Sequence, residues 1–325
     1  MKIGRYKDIN NIGKDLYNID QERYNQSDIN YLIYIPLFID SFYLFDKLYN
    51  HSNCTTIGDE FINHYRKFDF THWKKYEIFV SQSQGEKFRD DYLNYVTNNN
   101  ISPFQVNRDK SQYFHKKIDK KMNPEGLIIE EEKWEIFKKE LLMIKEVALD
   151  LICARREDFV NIGKIYALHL KNGSGLEKLS TYYFLALFNS RLLDFYFRVI
   201  FWNTHLSGGY LNYHFSYLSV LPILKIDSNS KIYDYIIILA KCLELEFDEI
   251  LKTILDLLII HAYFPEDLDI NLNILGFLDN FLEENIDVDM VSKIISELEL
   301  GREPIISLTD NDVYKVMINE RKFKE

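Results

Sequence analysis

The densest group of side chains able to read a nucleic-acid base lies between Asn203 and Tyr217, in NTHLSGGYLNYHFSY. Asn203, His205, Tyr210, Asn212, His214 and Tyr217 cluster there around Gly208 and Gly209. An asparagine amide presents a donor and an acceptor side by side, which matches the major-groove edge of adenine. Tyrosine and histidine stack or hydrogen-bond. The two glycines permit a close backbone approach or a positive φ. In GYLNYHF the two-residue period of a strand puts Tyr210, Asn212 and His214 on one face, with Leu211, Tyr213 and Phe215 on the other. The polar face is the candidate DNA-facing surface. A turn followed by a half-buried strand uses the same residues with no ligand.

A second group lies upstream. Arg155 and Arg156 follow the apolar run Leu149 to Cys153, so a strand there carries two guanidiniums to its end. A planar guanidinium fork holds a phosphate or a guanine edge. The alternative is an exposed strand end neutralised by Glu157 and Asp158. Lys164, Lys171 and Asn172, on or just beyond the next strand, can add phosphate contacts.

Catalytic signatures are missing. An amino-methyltransferase holds a flipped base with an Asn/Asp-Pro-Pro-Tyr/Phe loop, and Asn123-Pro124-Glu125-Gly126 is no substitute. Gly173-Ser174-Gly175 lacks the wider glycine fingerprint of a phosphate loop and reads as a strand-to-helix turn. Glu131-Glu132-Lys133 has nuclease-like spacing without an upstream Asp on a credible strand, so it reads as a solvated helix face. The eight histidines show no His-x-x-x-His or His–Cys pairing, and Cys54, Cys153 and Cys242 are far apart. No metal site, disulfide or cofactor is therefore expected.

The element that must position these groups begins at Ser180 and Thr181, which can cap a helix of about twenty mostly apolar residues. Its polar seam is Ser190, Arg191, Asp194 and Arg198. Asp194 sits three residues after Arg191 and four before Arg198, spacings at which opposite charges meet on a helix. Ionised side chains near mid-span would each cost about 2.5 to 3.5 kcal/mol in a bilayer, which excludes a membrane helix.

That helix, the Gly-Gly turn and the exit at Pro222 resemble the TaqI-like C-terminal specificity domain of type IIG restriction-modification enzymes, a relative of the target-recognition domains of type I specificity subunits. The family pattern of a core helix near "ALLNSKLxxFYF", a Gly-Gly loop and a "YLxxLPI" exit is matched by Ala186 to Phe197, Gly208 to Gly209 and Tyr217 to Ile223. Glu146 to Leu170 resembles the preceding strands. Asp256 to Leu268 resembles the closing helix, with His261 and Ala262 in place of the acidic and apolar residues of the pattern. The resemblance covers about a third of the chain and implies a duplex-DNA specificity function. It also implies that a separate methyltransferase or endonuclease subunit supplies the chemistry.

The net charge of −11 is unevenly placed. Residues 1–125 carry 18 basic and 17 acidic side chains, residues 126–225 carry 12 and 11, and residues 226–325 carry 9 and 22. The first two thirds are near neutral and free to present a local basic surface, whereas the acidic tail suits a protein partner. The expected fold is α+β: a target-recognition-type domain with a small sheet on a long core helix, then an α-helical C-terminal region. The expected units are an N-terminal α/β region of unknown role (1–125), the specificity domain (126–226) and an acidic helical region for partner docking (227–325). Tyr31 to Tyr49 suits a buried strand and a short helix, and His64 to Val80 and Gly85 to Val96 read as helices. Asn98 to Asn123 reads as a loop, Glu130 to Lys145 as an amphipathic helix, and Ile232 to Phe264 as one or two helices. The N-terminus lacks the apolar core of a signal peptide and the cysteines are unpaired, which together suggest a reducing cytoplasm. Two rival functions stay open. One is a nuclease or methyltransferase with a diverged site in residues 1–125, and the other is a protein-interaction subunit that binds no DNA.

Overall fold

The computed structural model of the 325-residue chain describes residues 2–3, 17–18, 44, 47–48, 50–63, 78–81, 92–107, 112–116, 126, 128–156, 159–161, 165–201, 206–268, 270, 272–282, 284–300, 309–312, 314–315 and 317. Most of the strand-and-helix expectation for Tyr31 to Tyr49 and of the helix expected over His64 to Val80 lies outside them; of the described positions, Leu44, Lys47 and Leu48 are helical as expected, whereas Val80 belongs to a strand.

The fold is α+β. In chain order its elements are β1 (Cys54–Thr56), α1 (Ile57–Glu60), β2 (Phe61–Asn63), β3 (Val80–Ser81), β4 (Tyr92–Val96), β5 (Ile101–Ser102), β6 (Gln105–Val106) and β7 (Gln112–His115). Next come α2 (Glu131–Phe137), β8 (Leu141–Lys145), β9 (Val147–Ala148), β10 (Cys153–Arg156), β11 (Phe159–Asn161) and β12 (Ile165–Leu170). The helical half holds α3 (Thr181–Phe188), α4 (Arg191–Ile200), β13 (Leu211–Asn212), α5 (Phe215–Leu218) and β14 (Pro222–Leu224). It continues with α6 (Lys231–Leu245), α7 (Glu249–Tyr263), a 3-10 segment (Leu272–Phe281) and α8 (Val288–Leu300).

The central sheet has the order β10-β8-β12-β2, all antiparallel. Its inner strands β8 and β12 are mainly apolar on both faces, and both of those faces are covered. Leu142 and Ile144 of β8 point into a large core shared with α3 and α4, while Met143 joins a smaller cluster with Ala154 and Ile165 on the reverse side. A second sheet, β11-β4-β7-β3, packs Leu93, Tyr95, Phe114 and Val160 against Trp134 and Phe137 of α2. Its β11–β4 pairing is parallel and the others are antiparallel. The large core runs from Leu48 through Phe184 to Leu258 and Tyr314, so strand, helix and C-terminal segments share one interior.

Several expectations are corrected. The amphipathic helix stops at Phe137, and Leu141 and Ile144 belong to a strand, because β10 and β12 lie on either side of it with both faces buried. Tyr92 to Val96 is a strand and not the end of a helix, and the expected loop from Asn98 contains β5, β6 and β7. The long core helix is two helices. Ser180 caps the first by accepting from the Tyr182 N–H at 3.3 Å. The helix then ends at Asn189, and Ser190 in extended backbone caps the second by accepting from Leu193 N–H at 3.3 Å. Asn189 turns its amide on the strand edge instead. Its Oδ1 accepts from Cys153 N–H at 3.0 Å and its Nδ2 donates to Cys153 O at 2.9 Å, pairing a buried stretch of β10 as a neighbouring strand would. The Ile232 to Phe264 run is two helices, α6 capped by Ser230 and α7 by Asp248.

Candidate nucleic-acid interface

The ribbon from Leu206 to Tyr217 leaves the core through a closed loop. Leu206 N–H donates to Tyr210 O at 2.7 Å, and Gly208 and Gly209 both have φ of 78°, where an L side chain is strained. β13 then pairs antiparallel with β9, Val147 opposite Asn212 and Ala148 opposite Leu211. The two-residue alternation holds. Leu211 and Tyr213 are fully buried, Tyr210 is 44% exposed, and Asn212 and His214 are partly accessible, with Asn212 Oδ1 itself buried and without a hydrogen-bond partner among the described residues. The ribbon is shorter than the sequence suggests, because His214 caps α5, its Nδ1 accepting from Ser216 N–H at 3.3 Å. Tyr217 consequently lies on a helix, half-buried, with its ring stacked on Phe201 at 4.6 Å.

A buried charge network fastens the inner side of this ribbon. Asp194 accepts from Tyr213 OH at 2.6 Å, from Leu151 N–H at 3.0 Å and from Arg198 Nε at 2.5 Å. Arg198 also donates to Asp150 Oδ1 at 2.9 Å and to Leu149 O. One carboxylate thus ties α4 to the β9–β10 connection and to the residue after β13. Burial raises the Asp194 pKa, but Arg198 and the donated hydrogen bonds outweigh it and leave the carboxyl below its ordinary value. Burial beside that carboxylate pushes the Tyr213 hydroxyl well up. Arg191, the other expected partner of Asp194, pairs instead with Asp256 at 3.2 Å.

Beside the network lies a cavity of about 420 Å³, lined among others by Asp150, Arg191, Phe195, Arg198 and Lys252. Lys252 Nζ sits 2.5 Å from Asp256 Oδ2, which is fully buried, and burial lowers the lysine's pKa against the pull of that carboxylate. This second ion cluster was not expected. Its Lys252–Asp256 half has helical i, i+4 spacing and was readable, but its Arg191 half spans 65 residues and was not.

The basic residues proposed upstream are placed differently from the expectation. Arg155 does end a strand, yet its guanidinium turns inward. It donates to both oxygens of Glu244 at 3.2 and 2.8 Å, to Tyr182 OH at 2.7 Å and to Glu140, and it lies over the Tyr182 ring at 4.2 Å. Arg156 is within 3.8 Å of the same Glu244. Arg155 thus lies over α3 and α6, and Glu157 and Asp158, the neutralising partners expected from the sequence, lie outside the described residues. Lys171 is half-buried and donates to Gly58 O at 2.7 Å, while Asn172 is exposed in the turn that follows β12. Lys164, Asn203 and His205 lie outside the described residues. Among the described residues no group of three or more His, Cys, Asp or Glu is arranged to hold a metal ion, and no helix is long and apolar enough to cross a membrane. Compared with known proteins, the chain matches no family model and no curated sequence.

Proposed function

We propose that this protein reads double-stranded DNA as the specificity part of a restriction-modification system, with a methyltransferase or endonuclease carried by another chain. The observation that carries the reading is the two-sided ribbon. Tyr210 is exposed and Asn212 and His214 are partly accessible, while Tyr213 on the inner side is held by Asp194 and Arg198. A reading edge works only if its backbone is fixed, since a loosely held amide satisfies any base equally well. Tyr210 and His214 supply stacking and polar contacts, and Asn212 supplies adenine selectivity once its amide, whose Oδ1 is buried without a partner among the described residues, turns to the groove. With Arg155 and Arg156 drawn inside, Lys171 and Asn172 at the end of β12 are the phosphate candidates among the described residues.

Selection from a random duplex library, followed by a salt titration on the enriched sequence, tests this. Sequence enrichment, affinity that falls steeply with salt, and a roughly tenfold loss for Asn212→Ala at one base position are expected. No enrichment, or binding indifferent to Tyr210, Asn212 and His214, would sink the proposal. One observation favours a protein-docking role instead. Leu149, Leu206 and Tyr210 are 50%, 46% and 44% exposed, and a Cβ built on Gly209 would meet Leu149 at 3.8 Å, so the loop presents an apolar tip. On that reading the chain has no duplex affinity for salt to weaken.

A further inference from the structure

The two charged sides of the 420 Å³ cavity beside α4 use their hydrogen-bonding capacity unequally. On one side the carboxylates are engaged. Asp194 accepts from Arg198 Nε, Tyr213 OH and Leu151 N–H, and Asp150 accepts from Arg198 Nη2. On the other side two cations share one carboxylate. Asp256 of α7, its side chain wholly buried, accepts from Arg191 N–H at 2.9 Å, lies 3.2 Å from Arg191 Nε and accepts from Lys252 Nζ at 2.5 Å. Among the described residues the Nη atoms of Arg191 have no hydrogen-bond partner, and Lys252 Nζ has Asp256 alone. The Lys252 side chain is only 10% exposed, so most of the donor capacity of its ammonium sits in the interior unmatched by protein. An unmatched interior donor costs free energy that an acceptor placed in the cavity recovers.

The rest of the wall is largely apolar. Leu151, Phe195 and Met317 line it, and Phe247, 39% exposed, stands there with the exposed Glu249, so the cavity opens to solvent on their side. Its volume falls within the range of about 300 to 1,000 Å³ typical of small-molecule sites. Arg191 and Lys252 against Asp256 leave this side positive. Glu249 is paired with neither cation and acts on them through water, which screens it. A carboxylate supplies the charge this side lacks and two acceptor oxygens for a planar guanidinium fork. Inorganic sulfate or phosphate would set a hydrated ion against Phe195, Phe247 and Met317. A neutral apolar ring would cover those residues and leave the donors unmatched. The two halves of the wall together call for an acid head on an apolar body.

We propose that this cavity binds a small organic monocarboxylate, with the acid group on Arg191 and Lys252 and the apolar body against Phe195, Phe247 and Met317. The site makes no use of Tyr210, Asn212 or His214, so carboxylate binding and duplex binding succeed or fail separately. The test is isothermal titration calorimetry of the full chain with phenylacetate, cinnamate and hexanoate, against phenylacetamide, cinnamamide and inorganic sulfate. Binding of at least one acid at a single site is expected, with its amide and sulfate weaker by roughly tenfold or more. Arg191→Met should weaken the acid roughly tenfold or more, as loss of a charge-assisted hydrogen bond implies. Arg191→Lys, which keeps the charge without the fork, should fall between the two. Phe247→Ala should weaken it about fivefold through lost apolar contact. Absence of acid binding, an amide or sulfate that binds as tightly as the acid, or an Arg191→Met variant that binds like the parent would each overturn the proposal. If Arg191→Met does not fold, Phe247→Ala, at an exposed position, decides in its place, and an unchanged affinity there overturns the assignment.

Discussion

Arg198 and Arg155 are both arginines paired with carboxylates, but they are anchored in different ways. Arg198 meets Asp194 four residues away on the same helix, keeps only 6% of its side chain exposed and adds Asp150 and Leu149 O. Arg155 reaches across 89 residues to Glu244 of α6 and across 15 to Glu140, with 17% exposed. The first network is local and holds a ribbon against the helix beneath it. The second is long-range and ties the edge strand of the central sheet to the C-terminal helices. The comparison teaches that an arginine's neighbours in sequence tell where a pair forms only when the element itself supplies the partner.

The sharpest way to break this comparison is Asp194→Ala. It strands Arg198, Tyr213 OH and Leu151 N–H in the interior, and removing one partner of a buried pair costs about 3 to 5 kcal/mol. Urea unfolding would measure it, and a loss under about 1 kcal/mol would mean the network is solvated. Its pH dependence has a definite sign. The folded Asp194 carboxyl lies below its ordinary value. Its contribution is therefore complete above about pH 4, the unfolded value, and is lost as pH falls through the folded one. Asp194→Asn should flatten this acid limb of the stability curve, and an unchanged limb would assign it to other carboxylates.

Asn189→Ala comes next. It leaves the N–H and C=O of Cys153 without their side-chain partners, an expected loss of about 2 to 3 kcal/mol, and proteolysis should then cut first near the α3–α4 joint. Cleavage elsewhere would show that the joint does not depend on the asparagine. The smallest effect is expected at Arg155, which is partly screened. Arg155→Met should cost about 2 kcal/mol, and a double-mutant cycle with Glu244→Gln should give a coupling of about 1 kcal/mol. Arg155→Lys should not recover it, because an ammonium cannot hold both carboxylate oxygens while lying flat on Tyr182. Zero coupling would separate the sheet edge from α6 and leave Arg155 available for a ligand.

Much of this was legible where the physics is local. The alternation at Tyr210, Asn212 and His214 follows from strand geometry once Leu211 and Tyr213 need an interior. The Ser180 cap and the Asp194–Arg198 pair also depend on neighbours within four residues. Other features were misread because a competing rule won. Leu141 and Ile144 have helical spacing from Trp134, yet a strand buried on both faces is apolar at every position and mimics a helix face over five residues. Asn189 and Ser190 break a helix that has no proline or glycine there, since their short polar chains bond the backbone of other turns and of β10. Ser180 and Ser190 cap helices by the same chemistry, but only the first stands at the start of an apolar run.

The amino-acid sequence alone determined that this chain folds as α+β, which side of the ribbon faces inward, and that helix α4 carries its own ion pair. These follow from periodicity and from contacts within a turn or two, whose energies do not depend on the rest of the fold. Tertiary structure decided where Arg155 and Arg191 find their carboxylates and where the core helix divides. Those outcomes are set by partners 36 to 89 residues away, and the free energy of a buried charge or amide is fixed by what surrounds it in space.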